Sequence, residues 1–162
     1  MIYITLGTQG NDFSRCLRMV EQLIEERGIK ERVIAQVGNS QYRPQGVVCF
    51  DYVSEVDYQK YILEADVIVT HAGSGALFSS IKKGKKTIAV ARLRKYGEMD
   101  DDHQTELVRK LTNEGYILDG TYSILEAWDK LEGFNPRKND FECTIPNRIE
   151  ELLTIWGIES LK

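Results

Sequence analysis

The sequence predicts an α/β protein with an open parallel sheet of about six strands and helices on both faces. Two observations support this. Short apolar runs of strand length alternate with longer segments in which apolar residues recur every three or four positions. In addition, Val67, Ile68 and Val69 form a continuous apolar run, which is typical of a parallel strand covered by helices on both sides.

The first half of the chain contains three of these strands and two helices. In the first helix Leu17, Val20 and Ile24 share one face, as in an amphipathic helix that packs on a sheet. The predicted strands are 2–6, 32–37 and 47–52, and the predicted helices are 14–27 and 58–64.

The second half continues the alternation after the buried run. Gly115 is expected to end a helix whose Leu107, Val108 and Leu111 face inward. The predicted strands are 67–70, 87–91 and 116–118, and the predicted helices are 76–83, 102–114, 123–131 and 147–156. We therefore expect one domain over residues 1–162, with 145–162 as a C-terminal helical segment.

Composition argues against several classes of protein. A formal net charge of -4 over 162 residues argues against a general nucleic-acid binder. Cys16, Cys49 and Cys143 show no metal-ligand spacing, so we expect reduced thiols in a cytoplasmic protein. A strand starting at residue 2 predicts no signal peptide, and no apolar run approaches the roughly 20 residues of a membrane helix.

A histidine and a glycine-rich turn follow the buried strand. His71, Gly73, Ser74 and Gly75 stand between this strand and the next predicted helix. Glycines let a phosphate approach the backbone, where the first helical N–H groups and the positive end of the helix dipole face it. The alternative is a tight turn that His71 merely caps. The motif is neither a P-loop nor the dinucleotide fingerprint, because the required lysine and third glycine are missing.

Polar loops also follow other predicted strands. In an open α/β sheet the carboxyl ends of the strands meet at one edge, where ligands bind. We therefore expect these loops to lie together, although a structural account also predicts polar residues in loops. The loops are 7–10, 38–41, 71–75 and 92–104.

These motifs resemble those of glycosyltransferase family 28, in particular its carboxyl-terminal, donor-binding half. The likeness extends to short single-domain subunits of two-component transferases of the exopolysaccharide, capsule or dolichol-linked GlcNAc type. It implies a Rossmann-like domain that is one half of a GT-B fold. It covers nearly the whole chain and rests on Gly7-Thr8-Gln9, Phe13, Arg15, Gln36-x-Gly38-x-Ser40, the run 65–75, Gly84-Lys85-Lys86, Arg92-x-x-x-Tyr96-Gly97-Glu98 and Asp102-His103-Gln104.

The resemblance implies a nucleotide-sugar donor, most simply a UDP-sugar, at this edge of the sheet. The turn at 71–75 would hold the diphosphate, Gln104 would contact the donor sugar, and Gln36 and Gly38 would border the base. The implied donor-binding residues are Gly7, Thr8, Gln9, Gln36, Gly38, Ser40, His71, Ala72, Gly73, Ser74, Gly75, Arg92, Glu98, Asp102, His103 and Gln104.

The resemblance also implies an inverting, metal-independent hexosyltransferase that needs no cofactor besides its donor. Its partner would be a membrane-anchored subunit that binds a lipid-linked saccharide acceptor and recruits the chain to the inner face of the membrane. The process would be surface polysaccharide biosynthesis. Two alternatives remain open: a non-catalytic nucleotide-sugar-binding or enhancer subunit, and an epimerase-like hydrolase of UDP-sugars.

The catalytic base is not assigned by the sequence. Glu98 and His103 are candidates, although a charged loop residue is usually solvated and a single histidine is more often a structural hydrogen-bonding group. The run 100–102 of three aspartates is more simply helix-dipole compensation than a metal site. Many family members have a ribose-binding Glu where this chain has Ser79, so ribose recognition is either weaker here or made by another group.

Overall fold

In the computed structural model, residues 1–138 form a six-stranded parallel sheet with helices on both faces, as the sequence predicts. The predicted helix 147–156, Cys143 and the boundary at residue 145 lie outside the described residues. The strands are β1 (Ile2–Thr5), β2 (Val33–Gln36), β3 (Val47–Phe50), β4 (Val67–His71), β5 (Lys86–Val90) and β6 (Leu118–Asp119). The helices are α1 (Ser14–Arg27), α2 (Glu55–Glu64), α3 (Ser74–Lys82), α4 (His103–Asn113) and α5 (Ile124–Asp129).

The strand order is β3-β2-β1-β4-β5-β6, and every pair is parallel. The chain therefore proceeds outward from β1 in one direction and then returns to add β4 on its other side. Such a reversal opens a crevice between β1 and β4 at their carboxyl ends, which is where ligands bind in open α/β sheets. The topology thus fixes the place to look for a site.

Alternating side chains along β1 separate the core into two layers. Ile2 and Ile4 pack with α1 and α5 on one face. Tyr3 packs with residues of α2 on the other face, where α3 and α4 form an adjoining apolar cluster. Because the central strands are covered on both faces, their sequences are apolar throughout.

Three elements start two or three residues away from their predicted starts, for local reasons. Helix α2 starts at Glu55 rather than at residue 58, because the Ser54 side chain accepts a hydrogen bond from the N–H of Asp57 and caps it. Helix α3 starts at Ser74 rather than at residue 76, so that Ser74 and Gly75 of the Gly-Ser-Gly motif belong to its first turn. Strand β6 begins at Leu118 rather than at residue 116.

The shift of β6 follows from the end of α4. Gly115 adopts a φ of 78° after the helix, and the N–H of Tyr116 donates to the carbonyl of Leu111 at 3.0 Å. This is the hydrogen bond that closes a Schellman motif. Because the Tyr116 amide is used by the helix end, ladder pairing with β5 begins only at Leu118.

Candidate functional site

A cleft of about 400 Å³ opens at the carboxyl ends of the central strands. It lies where β1 and β4 part, and α3 points its N-terminus into it. From the sequence-predicted donor-binding residues the cleft brings together Gly7, Thr8, Gln9, Gln36, His71, Gly73, Ser74, Gly75 and Gln104. The loops 7–10 and 71–75 therefore meet at this edge as expected, and Gln104 joins them from 92–104, but no residue of the loop 38–41 lines the cleft.

The N-terminus of α3 forms the anion-binding end of the cleft. Gly73 is its N-cap residue, and within residues 1–138 no side chain caps this helix end. The N–H groups of the first turn, which includes Ser74 and Gly75, consequently have no intrahelical acceptor. The same turn carries the positive end of the helix dipole, and the Ser74 hydroxyl adds a further donor.

His71 lies at the base of the cleft as a neutral imidazole. Its Nδ1 is 3.3 Å from the carbonyl oxygen of Thr5, which only accepts, so we assign the hydrogen to Nδ1 and a lone pair to Nε2. Burial lowers the pKa of His71 from 6.5 to about 4, and the nearby Arg92 charge acts in the same direction. At neutral pH the ring therefore contributes shape and an acceptor rather than a positive charge.

Two glycines enclose this ring. A Cβ atom built on Gly7 would lie 2.6 Å from the His71 ring, and one built on Gly73 would lie 2.2 Å from its Nε2. The loop after β2 also approaches closely, since a Cβ on Gly38 would lie 2.8 Å from the carbonyl oxygen of Gly7. A Cβ on Gly75, by contrast, would meet no atom within 4 Å. Gly7, Gly38 and Gly73 are thus required by packing, whereas Gly75 borders open space.

Gln104 reaches the cleft from the start of α4. Its Oε1 accepts a hydrogen bond from the N–H of Arg92 at 3.0 Å, which fixes the orientation of the amide. Within the described residues its Nε2 donates no hydrogen bond, so two donors remain for a ligand. Gln36 approaches from β2, and its Nε2 lies 3.5 Å from the Gly7 carbonyl oxygen.

The structure does not bring Arg92 and Glu98 to this cleft, in contrast to the expectation from sequence. The Arg92 guanidinium is buried and donates to the carbonyl oxygens of Asn11, Leu6 and Glu98 at 3.0 to 3.3 Å. The Glu98 carboxylate accepts two hydrogen bonds from Arg15, at 2.8 and 3.0 Å. Both side chains therefore tie the loop after β5 to α1 and the loop after β1. A base role for Glu98 is not supported by this geometry.

Other expected donor contacts also lie away from the cleft lining. Ser40 is buried, and its hydroxyl accepts from the N–H of Phe13 at 3.2 Å, while Ala72 packs in the core. The Asp102 carboxylate accepts a hydrogen bond from the N–H of Arg94 at 3.0 Å.

His103 is 81% exposed and pairs with Asp101, whose carboxylate raises the pKa of the imidazole. Within residues 1–138 the aspartate run forms no cluster suited to a metal ion.

The comparisons with known proteins agree with this architecture. The glycosyltransferase family 28 C-terminal domain matches residues 1–138. The chain belongs to this family.

Curated relatives define the extent of the likeness. The chain is 26% identical over 132 residues to the human UDP-N-acetylglucosamine transferase subunit ALG13, spanning 76% of this chain and 11% of that protein. To the Candida glabrata protein of the same name it is 29% identical over 96 residues, spanning 56% of this chain and 44% of the relative. The chain thus matches less than half the length of these curated relatives.

Solved glycosyltransferases share the fold. Acinetobacter baumannii MurG superposes with a TM-score of 0.55 at 19% identity, over 97% of this chain and 43% of MurG. The calicheamicin glycosyltransferase CalG4 gives a TM-score of 0.53 at 18% identity, over 80% of this chain and 34% of CalG4. The family 28 domain described here is therefore one half of a GT-B fold, which confirms the predicted fold.

One wall of the cleft of this family 28 domain was not found from the sequence. Val53, Glu55 and Tyr58 line it from the loop after β3 and the first turns of α2. The signal was available, since these residues follow a strand just as the other site residues do. The segment 51–54 contains no glycine, however, and the predicted helix began three residues too late.

No helix within residues 1–138 is long and apolar enough to cross a membrane.

Proposed function

We propose that the chain is the donor-binding subunit of a UDP-sugar-dependent hexosyltransferase. The cleft supports this most directly: it combines an uncapped helix N-terminus with polar groups from the ends of β1, β2 and β4 and from α4. Such an arrangement suits a ligand with a diphosphate and two polyhydroxylated sugars. The names of the curated relatives specify UDP-N-acetylglucosamine, which is accordingly the first donor to test.

The chemistry requires stabilisation of the UDP leaving group without a metal ion. The dipole of α3 and the amides of its first turn supply preorganised donors for the diphosphate, which is where negative charge develops. A bound diphosphate also favours the protonated form of His71, because an adjacent anion raises the pKa of an imidazole. The proton taken up by His71 then offsets part of the negative charge on the UDP leaving group. Direct displacement by the acceptor hydroxyl inverts the anomeric centre.

The catalytic base that activates the acceptor hydroxyl belongs either to this chain or to its partner. His103 is the remaining candidate here, because it is exposed, lies next to Gln104 and is oriented by Asp101 at 3.0 Å. Glu98 is disfavoured by its pairing with Arg15. The test is a His103→Asn variant assayed with the partner, whose pH–rate profile should lose its acidic limb if His103 is the base.

We further propose that a second chain provides the acceptor half. The support is the names of the curated relatives, which describe a subunit of a transferase. The partner would be membrane-anchored, would hold a lipid-linked saccharide acceptor and would recruit this chain to the inner face of the membrane. A role in surface polysaccharide biosynthesis rests on the sequence resemblance alone and is not specified by the relatives' names.

Calorimetric titration with UDP in EDTA tests the donor site. We expect saturable binding by the native chain and its loss in Gly75→Val, which fills the space beside the first turn of α3. The matched control is Gly133→Val, since Gly133 lies far along the chain and is likewise free of close neighbours. No UDP binding by the native chain, alone and with its partner, would refute the proposal.

Turnover measured with the partner and a lipid-linked acceptor distinguishes the alternatives. A transferase releases UDP only when the acceptor is present. Release of UDP without acceptor would identify a hydrolase. UDP binding with turnover that is unaffected by Gly75→Val would identify a non-catalytic subunit.

A further inference from the structure

The lining of the cleft includes two chemically different parts. The first turn of α3 provides neutral donors for an anion, around Ser74 and Gly75. A second part comes from α2 and carries Glu55 and Tyr58. Within residues 1–138, Glu55 is the one charged side chain that lines the cleft, since His71 is neutral at pH 7.

Glu55 and Tyr58 share one face of α2 because they are three residues apart. The Glu55 carboxylate is exposed, and its Oε1 accepts a hydrogen bond from the Gln59 side chain at 2.8 Å. In the described part of the chain no other donor contacts this carboxylate, which has about four acceptor sites in total. It therefore retains capacity for two ligand hydroxyls.

Tyr58 connects this wall to α3. Burial raises the pKa of Tyr58, and the hydroxyl of Ser79 lies beside it and offsets part of that rise. Ser79 is five residues beyond Ser74 on α3, which corresponds to about 7.5 Å along the helix axis. Tyr58 and Ser79 are thus in contact, so the α2 wall adjoins the helix whose first turn forms the anion-binding part of the cleft.

We propose that Glu55 binds the ribose 2′- and 3′-hydroxyls of the nucleotide and so fixes the direction in which the donor lies in the cleft. A carboxylate repels a diphosphate and accepts hydrogen bonds from a vicinal diol, so it selects the ribose end of the ligand. Val53, next to Glu55 in the lining, supplies apolar surface on the side where the base would continue. This inference rests on the proposed function, because it requires a nucleoside diphosphate in the cleft.

The test compares three ligands by calorimetry in EDTA: UDP, 2′,3′-dideoxy-UDP and inorganic pyrophosphate. We expect the native chain to prefer UDP over the dideoxy analogue by roughly tenfold to a hundredfold, as for hydrogen bonds to a charged group. In Glu55→Ala this preference should fall to near unity. Affinity for pyrophosphate should stay equal or rise, because a nearby negative charge has been removed.

The matched control is Glu64→Ala, which removes an exposed carboxylate from the opposite end of α2 and should leave all three affinities unchanged. Glu55→Gln keeps the side-chain size, and it should keep part of the preference. If Glu55→Ala retains the full UDP preference, the ribose assignment is wrong while the donor site stands. If binding requires Mg²⁺, the carboxylate acts through a cation and the assignment is also wrong. If the native chain binds neither UDP nor pyrophosphate, alone and with its partner, the proposed function itself fails.

Discussion

Replacing Gly75 by alanine is expected to stabilise the free protein while weakening nucleotide binding. Gly75 is in the first turn of α3, its φ is not positive, and an added Cβ would meet no atom within 4 Å. Alanine in a helix is favoured over glycine by about 0.5–1 kcal/mol, chiefly because the unfolded chain loses less entropy. For a chain of this length, that gain corresponds to a rise in melting temperature of roughly 1–4 °C.

The same methyl group would enter the space through which a phosphate reaches the α3 amides. We therefore expect the calorimetric Kd for UDP to rise at least tenfold in Gly75→Ala. Gly73→Ala is the matched comparison, because its Cβ would lie 2.2 Å from Nε2 of His71, a ring that Gly7 also approaches closely. It should lower the melting temperature. Unchanged UDP affinity in a stabilised Gly75→Ala would refute the close approach of a phosphate, and a destabilised Gly75→Ala would refute the helical first turn.

Two further predictions concern stability. Between pH 7 and pH 5 the free energy of unfolding should fall by about 2 kcal/mol because of His71, whose pKa is about 4 when folded and 6.5 when unfolded, so that the unfolded state binds the extra proton. Urea denaturation should show a flatter pH dependence for His71→Asn, measured in a His103→Asn background that removes the opposite contribution of His103. An unaltered slope would contradict the burial of a neutral ring. Glu98→Ala should lower the free energy of unfolding by about 3 kcal/mol in the same assay, because it leaves the partly buried Arg15 without its carboxylate. Asp129→Asn removes one partner of an exposed ion pair and should cost far less. Equal losses would show that the Glu98–Arg15 pair is only a surface contact.

Sequence reasoning located the sheet and most of the cleft because both depend on local patterns. A buried strand, a glycine-rich turn and a helix start are encoded in neighbouring residues, and the rule for strand ends then places separate loops together. The sequence did not predict the order of the strands, but placing the site at the carboxyl ends of the strands did not require that order. Boundaries moved by a few residues wherever a cap or a Schellman motif decided them, as at Ser54 and Gly115.

The errors arose where a side chain's partners are distant in sequence. Arg92 donates to carbonyls 81 and 86 residues away, and no local pattern reveals that it turns inward rather than towards a ligand. Glu98 is bound by Arg15 across 83 residues for the same reason. An arginine and a glutamate in a charged loop look like exposed groups in the sequence, and only the closed tertiary structure shows that they hold loops together.

The glycines of the cleft show how packing and binding requirements can be separated within one motif. Gly7, Gly38 and Gly73 each border an atom that a Cβ would strike, so the folded protein alone explains why they are glycines. Gly75 has no such neighbour and occupies a helical position, where glycine is less stable than alanine. A residue that the fold does not require, and that lowers its stability, needs another explanation. Close approach of a ligand to the α3 amides supplies one, and it makes Gly75 the position at which stability and binding should respond in opposite directions.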